Sequence, residues 1–550
     1  MDVPVACNST STTKPVRGQR WKRWLKIFAW TAGGGLLFLL TAAGVLSYLW
    51  LHGPLQGWFV EKMLSAESRS LHEEKIWPPL GWRPGEPLPD TWSGPRLSAA
   101  GLTSAGQLFQ TTNIWIAGLE FSEKSWKQMA PRRVKAVPGF MKSDGTLLLS
   151  NTNASRNGLA GVVGYDFDFA AANFELGGVR LTNVAARFKG NGTFLSALHR
   201  WKKPLKVNLN KYTQGRELAG RETFNFGNLS SDASCLSDSL SYEAFRLAGV
   251  PASRTAFARM FLSLEGQFER RPLGLYVMVE NLDEEFCEDR FGTRKTALFK
   301  PVTYTLFQDL GDDWAAYQRI YDPKTRITQA QQRRLIETAR FVTRSTDSEF
   351  AGRVGDFFDL DEFARFLAAL VWMSSYDGFL WNGQNFAIYL DPRSDKFGFL
   401  PWDLDNSWGE SSGVGTVEQR QQASIRHPWV GPMRFLERVM AVETFRNLYL
   451  ARIKELHETV FRPERLSRRT DELAAIIRAA VVDESARRAE RFEQTVADRG
   501  SEPRSPGDRS KEPERPVVPL KRFYQARAAS VEEQLAGRSE GVILRHKGWN

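Results

Sequence analysis

PWDLDNSWG, residues 401–409, follows the apolar run KFGFL and sets Asp403 and Asp405 where a strand would end. A proline, two acids and a glycine in so few residues suit a loop that grips a cation or phosphates better than a packed core. Just upstream, NFAIYLD and FGFLPWD read as two strands around Pro392-Arg393-Ser394-Asp395, which predicts a hairpin aiming Asn385 and Asp403 at a shared cleft.

Asp377 joins them from the N-terminal side. It closes the stretch DLDEFARFLAALVWMSSYD, whose apolar residues recur at helical spacing and for which Asp359 or Asp361 is a suitable N-cap. An acid at a helix exit, an amide at a strand start and an acid after a hairpin can seat a divalent cation and leave one carboxylate to receive a proton. Phosphoryl transfer asks for that division. Asp377 is then base and orienter, Asn385 and Asp403 hold Mg²⁺ or Mn²⁺ through hard oxygens, and Asp405 takes a second metal or caps the turn. The plainer reading makes Asp377 and Asp405 turn residues and Asn385 an edge amide.

Further upstream, RFKGNGTF (187–194) puts Gly190, Asn191, Gly192 and Thr193 after a strand. Missing Cβ atoms let backbone N–H groups approach an anion and Thr193 adds a hydroxyl, although a simple β-turn has the same composition. Lys206 lies inside the alternating run LKVNLN. Facing inward it needs an anion or a carboxylate, and facing outward it needs neither. Glu243, on a helix, and Glu280, ending GLYVMVE, are the candidate partners, while Lys300 in ALFKP reads as a solvated strand-end lysine.

The 550 residues are 42% hydrophobic and 25% charged, as in ordinary folded proteins, with 18 Trp and 36 Phe that predict large aromatic contacts. A net charge of +11 favours anionic partners, but its dispersal and the lack of any recognisable nucleic-acid module argue against nucleic acid. Six His and three Cys show no zinc spacing, and there is no G-x-S-x-G elbow or dinucleotide glycine fingerprint. Cys235 and Cys287 are either one disulfide or two buried thiols.

Residues 27–50 are uncharged and long enough to cross a hydrocarbon layer of about 30 Å. Arg17, Arg20, Lys22, Arg23 and Lys26 precede them, which predicts an inside N-terminus and a body on the periplasmic or extracellular side. The expected order is therefore a basic cytoplasmic segment (1–26), a transmembrane helix (27–50), a stalk (51–104) and a β-rich lobe of mainly antiparallel sheet (105–325). A helical lobe with the hairpin (326–494), a polar, Pro-rich linker (495–518) and a C-terminal helix and tail (519–550) complete it. One helix should interrupt the β-rich part, burying Leu236, Leu240, Phe245 and Leu247 and ending at Gly249.

The segments GVRLTNVAARFKGNGTF, KKPLKVNLNK, SLSYEAFRLAGVPASR, GLYVMVENLDEEF, DLDEFARFLAALVWMSSYDGF, NFAIYLD and FGFLPWDLDNSWG, in this order, resemble the CotH kinase family of spore-coat protein H-like atypical protein kinases. The resemblance implies an α+β, two-lobed protein-kinase-like fold, and phosphoryl transfer from ATP with Mg²⁺ or Mn²⁺ to Ser/Thr of an envelope or secreted protein. By position it implies that Gly190 to Phe194 cover the phosphates, Lys206 contacts them with Glu243 or Glu280 in support, Asp377 is the catalytic acid and Asp403 the metal-binding one. Two features depart from the family: FERRP (268–272) stands before GLYVMVE, and eight positions separate Asp377 from Asn385. A body outside the cytoplasm meets little ATP, so a non-catalytic kinase-like module of the envelope is the alternative.

Overall fold

A computed structural model describes residues 98–134, 155, 165–197, 200–411, 413–497 and 517–546. The basic N-terminal segment, the membrane helix expected at 27–50, most of the stalk and the Pro-rich linker at 499–516 lie outside the described residues. Among the described residues no helix is long and apolar enough to cross a membrane.

Seven strands form a closed barrel: β1 (Ile114–Phe121), β2 (Ala170–Leu176), β3 (Val179–Phe188), β4 (Leu205–Asn208), β5 (Thr223–Gly227), β6 (Thr255–Leu264) and β7 (Phe268–Glu280). Neighbours pair antiparallel in the order β1-β2-β3-β4-β5-β7-β6. Parallel pairing of β6 with β1, from Ile114 against Phe257 to Phe121 against Leu264, closes the ring. The sheet is thus a barrel rather than an open sheet, and closure removes the exposed edges. FERRP begins β7, whose pairing with β6 slips at Met260/Phe261 and Leu262/Leu264, with Arg270 at φ +43°. Side chains alternate strictly along β2, and Phe174, Leu176, Val207, Phe224, Phe226 and Met278 fill the interior.

The helices that position the site are α1 (Gly192–Ser196), α2 (Ser237–Leu247), α3 (Glu284–Phe291), α4 (Gln329–Arg344), α5 (Asp347–Phe357), α6 (Leu360–Trp372), α7 (Glu443–Thr459), α8 (Pro463–Val482), α9 (Ala486–Val496) and α10 (Leu520–Leu535). Between β5 and β6, α2 buries Leu236, Leu240 and Phe245 as expected, but Leu247 is exposed because it sits at the last turn before Gly249 (φ +81°) ends the helix.

The second core is aromatic. Asp359 caps α6 by accepting the Glu362 N–H at 3.1 Å. The expected hairpin is β9 (Phe386–Leu390) against β10 (Phe397–Pro401), and β8 (Ala297–Phe299) pairs with β9 to make a three-stranded sheet. Phe399 stacks on Phe363 at 4.3 Å and packs with Phe366 and Phe379, so the apolar face of α6 holds the hairpin under the loops at its two ends. On α10, Arg527 is fully buried and donates to the carbonyls of Val371, Trp372 and Ala423, docking the last helix beneath the segment leading to Asp377. Cys235 and Cys287 are separate buried thiols. The fold is therefore a mixed α and β structure with one barrel core and one aromatic, largely helical core.

Candidate active site

A cavity of about 860 Å³ lies between the barrel and the hairpin, within the range of small-molecule sites. Gly190, Asn191, Gly192, Thr193, Lys206, Asp377, Asn385, Asp403 and Asp405 all line it. Hairpin register explains part of this convergence: Phe386 faces Pro401, and the Trp402 N–H donates to the Asn385 carbonyl at 3.3 Å, so the two strand ends enter the cavity together. Asn385 and Asp403 both adopt the left-handed region, at φ +57°, which turns the chain sharply at each end.

Four carboxylates share the floor. Asn406 bridges two of them, donating to Asp377 Oδ2 at 3.1 Å and Asp405 Oδ1 at 2.8 Å. Asp238, from the first turn of α2, adds a third and accepts the Leu404 N–H at 3.0 Å, and Asp403 is the fourth. Burial, and then the charges of Asp403, Asp238 and Asp377, push the Asp405 carboxyl well above the usual carboxylate range. Asp238 is pushed up to about 7 by burial and by Asp403. Neither Asp403 nor Asp405 forms an ion pair among the described residues.

Asp377 is held by amides. Asn382 donates to its Oδ1 at 2.6 Å, and Asn385 Nδ2 donates to its backbone carbonyl at 2.7 Å. Asn385 thus straps the loop, and among the described residues the buried Oδ1 of Asn382 has no hydrogen-bond partner. Asn382 stands five residues after Asp377, the acid-to-amide spacing of protein-kinase catalytic loops. That spacing is legible in the sequence, three residues before the Asn385 of the expected metal site.

The opposite wall is cationic. Arg187 and Lys206 are cross-strand neighbours on β3 and β4, and both line the cavity. Lys189 and Lys300 place their ammonium groups 5.6 and 5.1 Å from the centre of the Trp402 ring. Burial lowers the pKa of all four: Lys206 falls to about 7, with Arg187 and Lys324 adding repulsion, and Lys300 to about 8. Lys300 is thus a cavity residue and not a solvated one, because β8 carries it against the hairpin. At Gly190 (φ +78°) a Cβ would meet Thr193 Oγ1 at 2.5 Å, so the turn that opens this wall needs glycine.

Neither expected glutamate partner of Lys206 reaches it. Glu243 faces α8, where Arg469 grips it from 2.9 to 3.1 Å. Glu280 ends β7 fully buried and is bound by Arg221, Arg254 and Arg290. Lys206 instead donates to Asn281 Oδ1 at 3.2 Å, a neutral partner, and the charge of Asp283 acts on it only in part against burial.

A divalent cation fits this donor set. Among the described residues no three His, Cys, Asp or Glu side chains are grouped as a ready metal cage. Mg²⁺ rarely uses one: it takes one or two carboxylates, substrate phosphates and waters. Asp403 and Asp405 line the cavity together with the Asn382 oxygen that has no partner among the described residues, and a cation held there would draw down the Asp405 carboxyl that burial and then the neighbouring acids push up.

Residues 186–531 match the family described as CotH kinase protein. Inner spore coat protein H of Bacillus subtilis (strain 168) is 26% identical over 181 residues, which are 32% of this chain and 48% of that relative. The match thus spans about half the length of that protein. The solved complex of HipA, HipB and operator DNA from the Shewanella oneidensis MR-1 toxin–antitoxin system covers 61% of this chain and 58% of its own. Its sequence identity to this chain is 9% and its TM-score 0.23.

Proposed function

The chain belongs to the CotH kinase family, and from this premise we propose that it is a metal-dependent kinase with a protein-kinase-like two-lobed fold, moving the terminal phosphoryl group of ATP or a similar nucleotide to Ser or Thr of an envelope or secreted protein. The observation that carries the reading is one cavity with a carboxylate floor and a lysine and arginine wall.

In this reading Lys206, Arg187, Lys189 and Lys300 bind the polyphosphate, whose charge restores the ammonium form that burial disfavours. The turn at Gly190 to Thr193 closes over it. Asp403 and Asp405, with Asn382, hold Mg²⁺ or Mn²⁺, which screens the charge of the transferred group. Asp377, fixed on both oxygens by Asn382 and Asn406, orients the acceptor hydroxyl and receives its proton. The body works outside the cytoplasmic membrane, anchored through residues 27–50.

The test is phosphate transfer by the full chain in detergent, with ATP and Mg²⁺ or Mn²⁺, alongside its melting temperature. Metal-dependent transfer and a nucleotide-dependent rise in melting temperature are expected. No transfer and no rise with any common nucleotide would leave a non-catalytic envelope module. A reporter fused after residue 60 tests the topology, and a cytoplasmic signal would reverse it.

A further inference from the structure

Two backbone amides of the acid loop are held from one face of α2. The Asp403 N–H donates to the Tyr242 hydroxyl at 3.0 Å, and the Leu404 N–H donates to Asp238 Oδ1 at 3.0 Å. Asp238 and Tyr242 are four residues apart on a helix, so they project from the same face one turn apart. Tyr242 is 1% exposed, and its ring is fixed in the aromatic core that α2 shares with α6. Asp403 meanwhile sits at φ +57°, in the left-handed region that aspartate enters more readily than most residues but that packing and hydrogen bonds must still select.

The geometry points to Tyr242 as a positioning residue: its hydroxyl, backed by Asp238 one turn earlier, fixes the Asp403 backbone in the left-handed turn that presents its carboxylate to the cavity. The inference rests on the reading of Asp403 as a metal-holding acid. Tyr242 touches neither metal nor substrate and acts through the Asp403 amide alone. Deleting the hydroxyl removes the bond that holds that N–H and lets the turn relax toward ordinary dihedral angles. Ligand orientation by such outer contacts commonly changes metal affinity by about 10–100-fold.

The test compares the full-length Tyr242→Phe variant with wild type and with Tyr449→Phe, which loses an equally buried hydroxyl bonded at 2.8 Å to the Ile425 carbonyl, away from the cavity. Tyr242→Phe should exchange the 403 and 404 amide hydrogens at least about tenfold faster and raise the Mn²⁺ midpoint about tenfold. It should lower kcat with the acceptor KM unchanged. Tyr449→Phe should do none of these, even if its melting temperature falls as far. Unchanged exchange at 403–404, or an Mn²⁺ midpoint equal to that of Tyr449→Phe, would overturn the inference. If wild type binds no Mn²⁺ the functional reading fails, while the exchange comparison still decides whether Tyr242 holds the turn. Should Tyr242→Phe not fold, exchange in wild type decides: an Asp403 amide protected like that of Leu404 is expected, and one that exchanges as fast as an open amide would overturn the inference.

Discussion

Glu280 is fully buried and Asp405 half-buried, and the chain treats the two carboxylates in opposite ways. Around Glu280 it gathers Arg221, Arg254 and Arg290, whose side chains and one backbone amide donate to both oxygens at 2.8–3.1 Å. Asp289 joins the same arginines, and its carboxyl is pulled down to about 2: burial works against this, but the hydrogen bond and charge of Arg254 and the charges of Arg290 and Arg221 prevail. Around Asp405 the chain gathers more acids, Asp403, Asp238 and Asp377, and among the described residues gives it a single amide, from Asn406. A buried charge that the fold neutralises is architecture, and a partly exposed group of acids facing lysines across a cavity is the pattern of a functional site.

The difference should appear in what mutation damages. Asp403→Asn, in the acid group of the cavity, should lower phosphate transfer by about 10²–10³-fold while leaving the apo melting temperature level or higher, since it removes repulsion from Asp238 and Asp405. Asp377→Asn should preserve the nucleotide-induced rise in melting temperature yet lower turnover by about 10²–10⁴-fold, the usual worth of a proton acceptor. Glu280→Gln should do the reverse. It leaves buried arginines without their shared acid, so denaturant unfolding should show a loss of about 3–5 kcal/mol, with turnover of the folded fraction nearly unchanged. If Glu280→Gln stops turnover at full stability, the division between the two clusters collapses.

The smallest effect sharpens the cationic wall. Burial lowers the Lys206 pKa to about 7, so between that value and the ordinary lysine range the unfolded chain binds more protons than the folded one. Its destabilising share is therefore complete below about pH 7 and fades as pH rises toward about 10. Lys206→Met should raise the apo melting temperature by about 2–4 °C near pH 6.5 and by less near pH 9. In wild type at pH 8, nucleotide binding should take up about one proton, read from calorimetry in buffers of different ionisation enthalpy.

Local chemistry carried much of this fold in the sequence. The Asp359 cap, the hairpin about residues 392–395, helix α2 and the docked last helix are each written within a few residues. Barrel closure is not, because β1 and β6 are more than 130 residues apart and nothing in either strand names its partner. The same limit governs the site. Acids after a strand and after a helix mark themselves, whereas the partner of Lys206 depends on which side chain the end of β7 turns inward. That turn delivers Asn281, and it leaves Glu280 among arginines contributed from three different places. Asp238 escaped notice because one serine-rich helical turn resembles any other until the acid loop packs against it.

Calorimetric titration of the full chain with Mn²⁺ and ATP, wild type against Asp403→Asn, tests the account most directly. The account predicts one saturable nucleotide site whose binding requires the metal in wild type and is lost in the variant while the fold persists. Equal binding by both proteins, or no binding by either, would contradict it.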